Sequence, residues 1–417
     1  MTALILSPEY ASHYGPLAVL GRSIRADGER VVVATGPALR ERVEADGFGW
    51  RRLVLGRGRN DGGQIADRSI ESFFAATRRG MVPTLLHQAA ERRHDLLWEP
   101  ERVVGDVGRL LDELDPTTVL VDHVSLASTL AMLVSGRPFT TFVPGHPSQL
   151  PVGNECFGVP VSWPAAFTPD PAAMAELRER CERVVELVTD AFARVLIAAG
   201  RPAPCDAFRA HGHEVLYPWP SSFHDPRRAP LLPAHRDLGP LVRGEALRSQ
   251  DEAWLAERPD LPLVLVALGT FFSARVDVLR TVVAGLRPLP LRVVLAVGDA
   301  TVDELGVLPE HALVDRFVPQ VAYLRHADVM ISHGGGGSVG EAMAAGVAQL
   351  VAPFSTDQFA IAAEVERLGI GVAVDPNALT PDLVAGRVTE LLDGAAQRRA
   401  VTIQAAASMR TAPSSSA

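Results

Sequence analysis

The chain has 417 residues, too many for one ordinary domain and about right for two. Hydrophobic residues make up 47% of it and the 35 glycines and 32 prolines are scattered between apolar runs, which excludes a disordered chain. The net charge is −9 and all 40 basic residues are arginine, with no long basic run, which excludes the basic face that nucleic acid requires.

No apolar run reaches the roughly 18 residues of a membrane span, so no membrane partner is expected. Cys156, Cys181 and Cys205 are far apart and form no CxxC pair, so they read as thiols in a reducing cytoplasm.

Residues 3–6 are the first predicted strand, without the basic start of a signal peptide. Residues 16–26 follow as a helix with Pro16 in its first turn, ended by Asp27-Gly28. Strand 31–34 and helix 37–46 come next, and 57–63 reads as a mobile glycine-rich loop. Strand 119–122 precedes helix 126–134, and 172–199 has the apolar stripe and charged face of a long surface helix. Five prolines lie within 217–237, more than a helix or sheet tolerates, so this stretch reads as a connection. The rhythm then restarts with strand 263–268, Gly269-Thr270, helix 276–286, strands 292–297 and 329–332, helix 338–345, and strands 349–352 and 371–374. Strand–helix alternation with β-branched strands predicts an α/β chain of two doubly wound parallel-sheet domains. The predicted boundaries are 1–220, a linker at 221–240, a second domain at 241–400, and a disordered tail at 401–417.

The most informative stretch runs from Val329 to Gly346, where a buried strand enters Gly334, Gly335, Gly336 and Gly337 and a helix follows. Glycines let the backbone approach a ligand closely, and the free N–H groups at a helix start point at an anion. Ser338 can add a hydroxyl and His333 a ring N–H, so a diphosphate is the natural occupant. A flexible glycine hinge is the alternative. It is not a Walker loop, because no GK[ST] follows.

His333, the four glycines, Ser338 and Glu341, followed by Pro353 and Asp357-Gln358 and preceded by Phe317-Val318-Pro319-Gln320, resemble the signature of the family 1 glycosyltransferases. These are the UDP-sugar and dTDP-sugar transferases of plants and of bacterial natural-product pathways. The resemblance implies the GT-B fold, two facing Rossmann-like domains with the active site in the cleft. It assigns the donor diphosphate to His333, Gly335, Gly336, Gly337 and Ser338, with Thr270 on a second phosphate-side loop. Phe317 would stack on the base, Val318 and Gln320 would contact base or ribose, and Glu341 would accept from the ribose hydroxyls. Asp357 and Gln358 would bind hydroxyls of the donor sugar. Phe317 stands where plant members have Trp, and Gly336 and Gly337 replace side chains common in the family.

In the first half, His13 follows the first strand and can act as a base near neutral pH. Asp122 ends a later strand and can fix the imidazole tautomer and stabilise its cation. A surface His and a helix-capping Asp are the plainer readings. The His13-x-x-Pro16 element and the strand-ending Asp122 both resemble the family's base and its partner. His123 is expected to face away from Asp122, His146 to line an acceptor pocket or sit in a loop, and His326 to be structural.

The resemblance thus implies an inverting transfer from a dTDP- or UDP-sugar to a small-molecule aglycone, by a monomer or homodimer. No Asp-x-Asp pair is present to hold a divalent ion against a sugar nucleotide, so neither metal nor cofactor is expected. Sugar-nucleotide 2-epimerases share the architecture, and some transferase-like proteins only activate a partner enzyme. The His-x-x-Pro element and the Asp-Gln pair favour transfer over epimerisation, and the presence of both His13 and His333 speaks against a non-catalytic activator.

Overall fold

The structure, a computed structural model, describes residues 1–56 and 63–394. Residues 57–62 of the predicted glycine-rich loop and the predicted tail, 401–417, lie outside the described residues. The chain divides into two compact units. The first comprises 1–161, 169–219 and 224–241, and the second 162–168, 220–223 and the chain from 242.

The first unit is built on a seven-stranded sheet of β1 (Thr2–Leu6), β2 (Arg30–Thr35), β3 (Gly49–Arg52), β4 (Thr118–Asp122), β5 (Thr140–Phe142), β6 (Glu214–Tyr217) and β7 (His235–Asp237). Its order is β3-β2-β1-β4-β5-β6-β7, and every pairing is parallel. The second unit holds β8 (Leu263–Ala267), β9 (Arg292–Ala296), β10 (His311–Asp315), β11 (Val329–Ser332), β12 (Ala348–Val351) and β13 (Gly371–Ala373). These pair in the order β10-β9-β8-β11-β12-β13, again all parallel.

A strand covered by helices on both faces has no solvent side, which is why β8 reads Leu-Val-Leu-Val-Ala without a polar residue. The two-residue period still sorts the side chains. Leu4, Leu6, Val32, Ala34, Val119 and Val121 join one buried core, while Ala3, Ile5, Val31, Val33 and Leu120 join the core on the other face.

In both sheets the strand order reverses beside the first strand, between β1 and β4 and between β8 and β11. Loops leaving the carboxyl ends of those neighbouring strands diverge, and the opening between them is where such sheets bind ligands.

Four differences from the sequence reading bear on the site and on the division into units. The helix after β1 starts at Ala11, so His13 lies in its first turn and Pro16 inside it. Helix 338–345 begins two residues earlier, at Gly336. The expected linker, 221–240, contains β7. A proline-rich stretch reaches the sheet there because β7 is an edge strand of three residues that itself contains no proline. Residues 162–168 leave the first unit because Trp163 and Phe167 pack on Phe359, at ring distances of 4.9 and 5.4 Å, while the Ala165 N–H donates to Glu366 at 2.8 Å. Among the described residues, no helix is long and apolar enough to cross a membrane.

Candidate active site

The reversal point of the first unit holds His13 and Asp122. Nδ1 of His13 lies 2.9 Å from Oδ2 of Asp122, whose side chain is fully buried. The other carboxylate oxygen accepts the Val124 N–H at 3.0 Å. A carboxylate can only accept, so Nδ1 carries the ring proton and Nε2 is the nitrogen able to take one up. Tyr10 flanks the imidazole, ring centroids 5.6 Å apart. Asp122 thus both receives a backbone N–H, as a capping residue does, and orients the histidine.

The neighbouring histidines do other things. His123 is fully buried with Nε2 against the Gln149 carbonyl at 2.8 Å, and burial lowers its pKa to about 4. His146 is buried and accepts the Ser148 N–H at 3.1 Å, capping the turn Pro147–Gln149. His326 is exposed beyond the helix Gln320–Leu324.

The reversal point of the second unit is built differently. His333 follows β11, and Gly269 follows the adjacent β8. A Cβ on Gly269 would come within 2.8 Å of the His333 ring, and one on Gly335 would run into its Nε2. Gly269 also has φ +73, a conformation that other residues adopt at a cost. Both glycines therefore make room for the imidazole.

Phe272 covers the ring at 5.5 Å and stacks on Phe354 at 4.8 Å, and the buried Arg275 guanidinium lies 5.3 Å from the Phe354 centroid. Burial lowers the His333 pKa to about 4, so this ring stays neutral at physiological pH. Its Nδ1 is enclosed and has no hydrogen-bond partner among the described residues.

The helix after the loop runs from Gly336 to Ala345 with Gly335 as its N-cap, and its first intrahelical bond is donated by Val339. The amides of Gly336, Gly337 and Ser338 thus fall among the donors that a helix start leaves unused. These free amides are donors of the kind that fits an anion, and His333 precedes them in the loop.

Around it, Gln320 donates to Glu341 at 2.6 Å and approaches Ser338 at 3.4 Å. Burial raises the Glu341 pKa, opposed by that hydrogen bond and by Arg243. Phe317 is 55% exposed with the Arg316 guanidinium 5.4 Å from its ring centroid, and Val318 packs against the core below. An open cavity of about 440 Å³ lies at the carboxyl ends of β9 and β10, lined by residues 297–302 and 314–316.

Asp357 precedes the helix Gln358–Arg367. Gln358 is buried, and its Oε1 accepts the N–H groups of Phe354 and Ser355 at 2.9 and 3.2 Å, which leaves its amide nitrogen for a ligand. Thr270 lies in the short helical turn Gly269–Phe272, and its side chain is outside the described residues.

Sequence reasoning overlooked Arg243, Phe272, Arg275 and the cavity beside Phe317. None carries a spacing signal. They reach the site through contacts between distant segments.

Residues 280–416 match the family model described as Erythromycin biosynthesis protein CIII-like, C-terminal domain. The chain is 36% identical over 135 residues to the NDP-glycosyltransferase YjiC of Bacillus subtilis, covering 32% of this chain and 34% of that one. It is 30% identical over 159 residues to the demethyllactenocin mycarosyltransferase of Streptomyces fradiae, covering 38% and 34%. The chain thus spans about a third of the length of the curated relatives it matches. In structure, the glycosyltransferase VinC in complex with DTDP aligns with a TM-score of 0.71 at 19% identity, over 99% of this chain and 96% of that one. The calicheamicin glycosyltransferase CalG4 aligns at 0.69 and 20%, over 98% and 94%. The fold is GT-B. The resemblance to family 1 glycosyltransferases of the natural-product type therefore stands on sequence over the C-terminal part and on fold over the whole chain.

Proposed function

We propose that this chain is a metal-independent inverting glycosyltransferase that moves a sugar from a dTDP- or UDP-sugar to a hydroxyl of a small natural-product acceptor. The observation that carries the reading is the His13–Asp122 pair at 2.9 Å on one reversal point, complemented by the free helix-start amides on the other. A solvated surface histidine needs no buried carboxylate aimed at its Nδ1. A glycine hinge needs no enclosed histidine beside a helix start.

Nε2 of His13 removes the acceptor hydroxyl proton. The oxygen attacks the anomeric carbon, forming the new C–O bond as the bond to the diphosphate oxygen breaks on the opposite face. The electron pair leaves with the diphosphate, and one displacement inverts the configuration. Asp122 stabilises the imidazolium that forms. The amides of Gly336, Gly337 and Ser338, with the His333 N–H, meet the charge that develops on the leaving diphosphate. Those fixed dipoles take the part that a divalent ion plays elsewhere. Glu341 and Gln320 suit the ribose hydroxyls, Phe317 and Val318 the base, and Asp357 and Gln358 the sugar.

A thymine donor is the first choice, because two structural neighbours, VinC and the spinosyn rhamnosyltransferase SpnG, are complexes with DTDP and thymidine diphosphate.

Calorimetric titration with dTDP, UDP, GDP and ADP in EDTA tests the donor half. Tight binding of one pyrimidine diphosphate is expected, and no binding to any would overturn the reading. An acceptor screen with that donor should then give a product of inverted anomeric configuration, with initial rates at 25 °C unchanged by EDTA.

A further inference from the structure

The proline-rich segment between β6 and β7 has no regular structure beyond the short turns Ser221–Phe223 and Ala229–Leu231. It nevertheless gathers two histidines and an aspartate with β7. Nε2 of His224 lies 2.8 Å from Oδ1 of Asp237, a hydrogen bond whose proton a bound ion would replace, and Nε2 of His235 lies 4.0 Å from Oδ2 of the same carboxylate. One ligand atom from each of His224, His235 and Asp237 falls within 4.8 Å of the others. β7 is three strands from β4 in the sheet, so this cluster is separate from His13 and Asp122 by roughly 14 Å at ordinary strand spacing.

Three features point to a bound ion. First, His235 Nδ1 is 2.8 Å from the Pro233 carbonyl, which can only accept. That bond fixes the proton on Nδ1 and turns the lone pair of Nε2 toward Asp237, the second-shell arrangement that metal-bound histidines use. Second, 4.0 Å is too long for a hydrogen bond, yet close to the roughly 3.4 Å between ligand atoms around a tetrahedral ion with bonds near 2.1 Å. Third, buried polar atoms beside the cluster have no hydrogen-bond partner among the described residues. Tyr217 is fully buried with its ring 4.9 Å from His224 and 5.9 Å from His235, edge-on to both. Its hydroxyl and Nδ1 of the buried His224 have no hydrogen-bond partner among the described residues. Native proteins rarely leave such atoms orphaned, and the water shell of a bound ion would satisfy them.

We propose that His224, His235 and Asp237 bind one divalent transition ion of the zinc class, which fastens the proline-rich segment to edge strand β7. Two imidazoles and one carboxylate select zinc over magnesium or calcium, which prefer all-oxygen sites. Three protein ligands leave a position for water. The ion lies outside the transfer chemistry, so its role is structural and the metal-independent reaction stands or falls separately.

The test uses the tag-free full-length chain, stripped with chelator, freed of it, and titrated with Zn²⁺ or Mg²⁺. One Zn²⁺ per chain should bind and raise the melting temperature, while Mg²⁺ should do neither. His235→Ala and, separately, Asp237→Asn should weaken Zn²⁺ binding at least tenfold. His235 is partly exposed, so His235→Ala should keep the wild-type circular dichroism spectrum and ion-free melting temperature. Co²⁺ should give visible d–d bands that His235→Ala removes, a readout independent of folding and of activity. Absence of stoichiometric Zn²⁺ binding to the wild type, or equal binding by both variants, would overturn the proposal.

Discussion

The two units share one strand order and one reversal point but equip it in opposite ways. In the first, His13 sits on the loop side of β1 with Asp122 of β4 behind it, so the ring is oriented by a hydrogen bond to a buried carboxyl group. In the second, His333 follows β11 and, among the described residues, no carboxylate is hydrogen-bonded to its ring. Glycines, Phe272 and burial surround it, and the same side chain is held neutral with a pKa of about 4. One histidine is held by a buried carboxylate, and the other is kept uncharged by burial. The topology decides where the chemistry sits, and the neighbours decide what it is.

That contrast can be broken at its strongest point first. His13→Ala should lower kcat/KM by about 10²–10⁴-fold, the range for loss of a general base, and leave dTDP affinity unchanged in calorimetry. An unchanged rate would remove His13 from the chemistry, and lost dTDP binding would mean that it serves the donor instead.

The neutral histidines give the next largest effect, on stability. The unfolded chain takes up protons at His123 and His333 from about pH 6.5 downward, whereas the folded chain resists until about pH 4. Stability is therefore lost as pH falls across that window, by up to about 3 kcal/mol for each residue. Urea unfolding at pH 7, 6, 5 and 4 should follow this course.

The glycine loop sharpens the comparison further. A methyl at Gly335 meets the His333 ring, so Gly335→Ala should cost about 1–3 kcal/mol of stability, the usual range for overpacking, and should weaken dTDP binding as His333 shifts. Ser338→Ala should cost about 1 kcal/mol, one hydrogen bond, read as a roughly fivefold rise in the dTDP Kd. Gly337 has open space where a Cβ would go, so Gly337→Ala should leave affinity nearly unchanged and add a few tenths of a kcal/mol of helix stability. Equal effects at Gly335 and Gly337 would argue against the steric account of His333.

Much of this was readable without coordinates. The parallel strands announce themselves as short β-branched runs, because a strand buried on both faces has no polar positions. The glycine loop was visible because only glycine tolerates the close approaches around His333. Helix starts were read too late twice, at Ala11 and at Gly336. Tyr10 and Gly335 both lack a capping side chain, so the usual start signal is absent. The linker reading of 221–240 overlooked β7 because three residues on a sheet edge leave too short a pattern to detect.

The sequence by itself determined the fold class, the glycine-rich strand-to-helix loop and the residue types available for chemistry, because these depend on local periodicity and backbone sterics. Only the tertiary structure decided which of them meet. His13 and Asp122 are 109 residues apart in the chain and 2.9 Å apart in space. The crossing of 162–168 into the second unit, the neutrality of His333 and the gathering of His224, His235 and Asp237 are of the same kind. Each depends on burial and on contacts between distant segments, and no pattern along the chain encodes those.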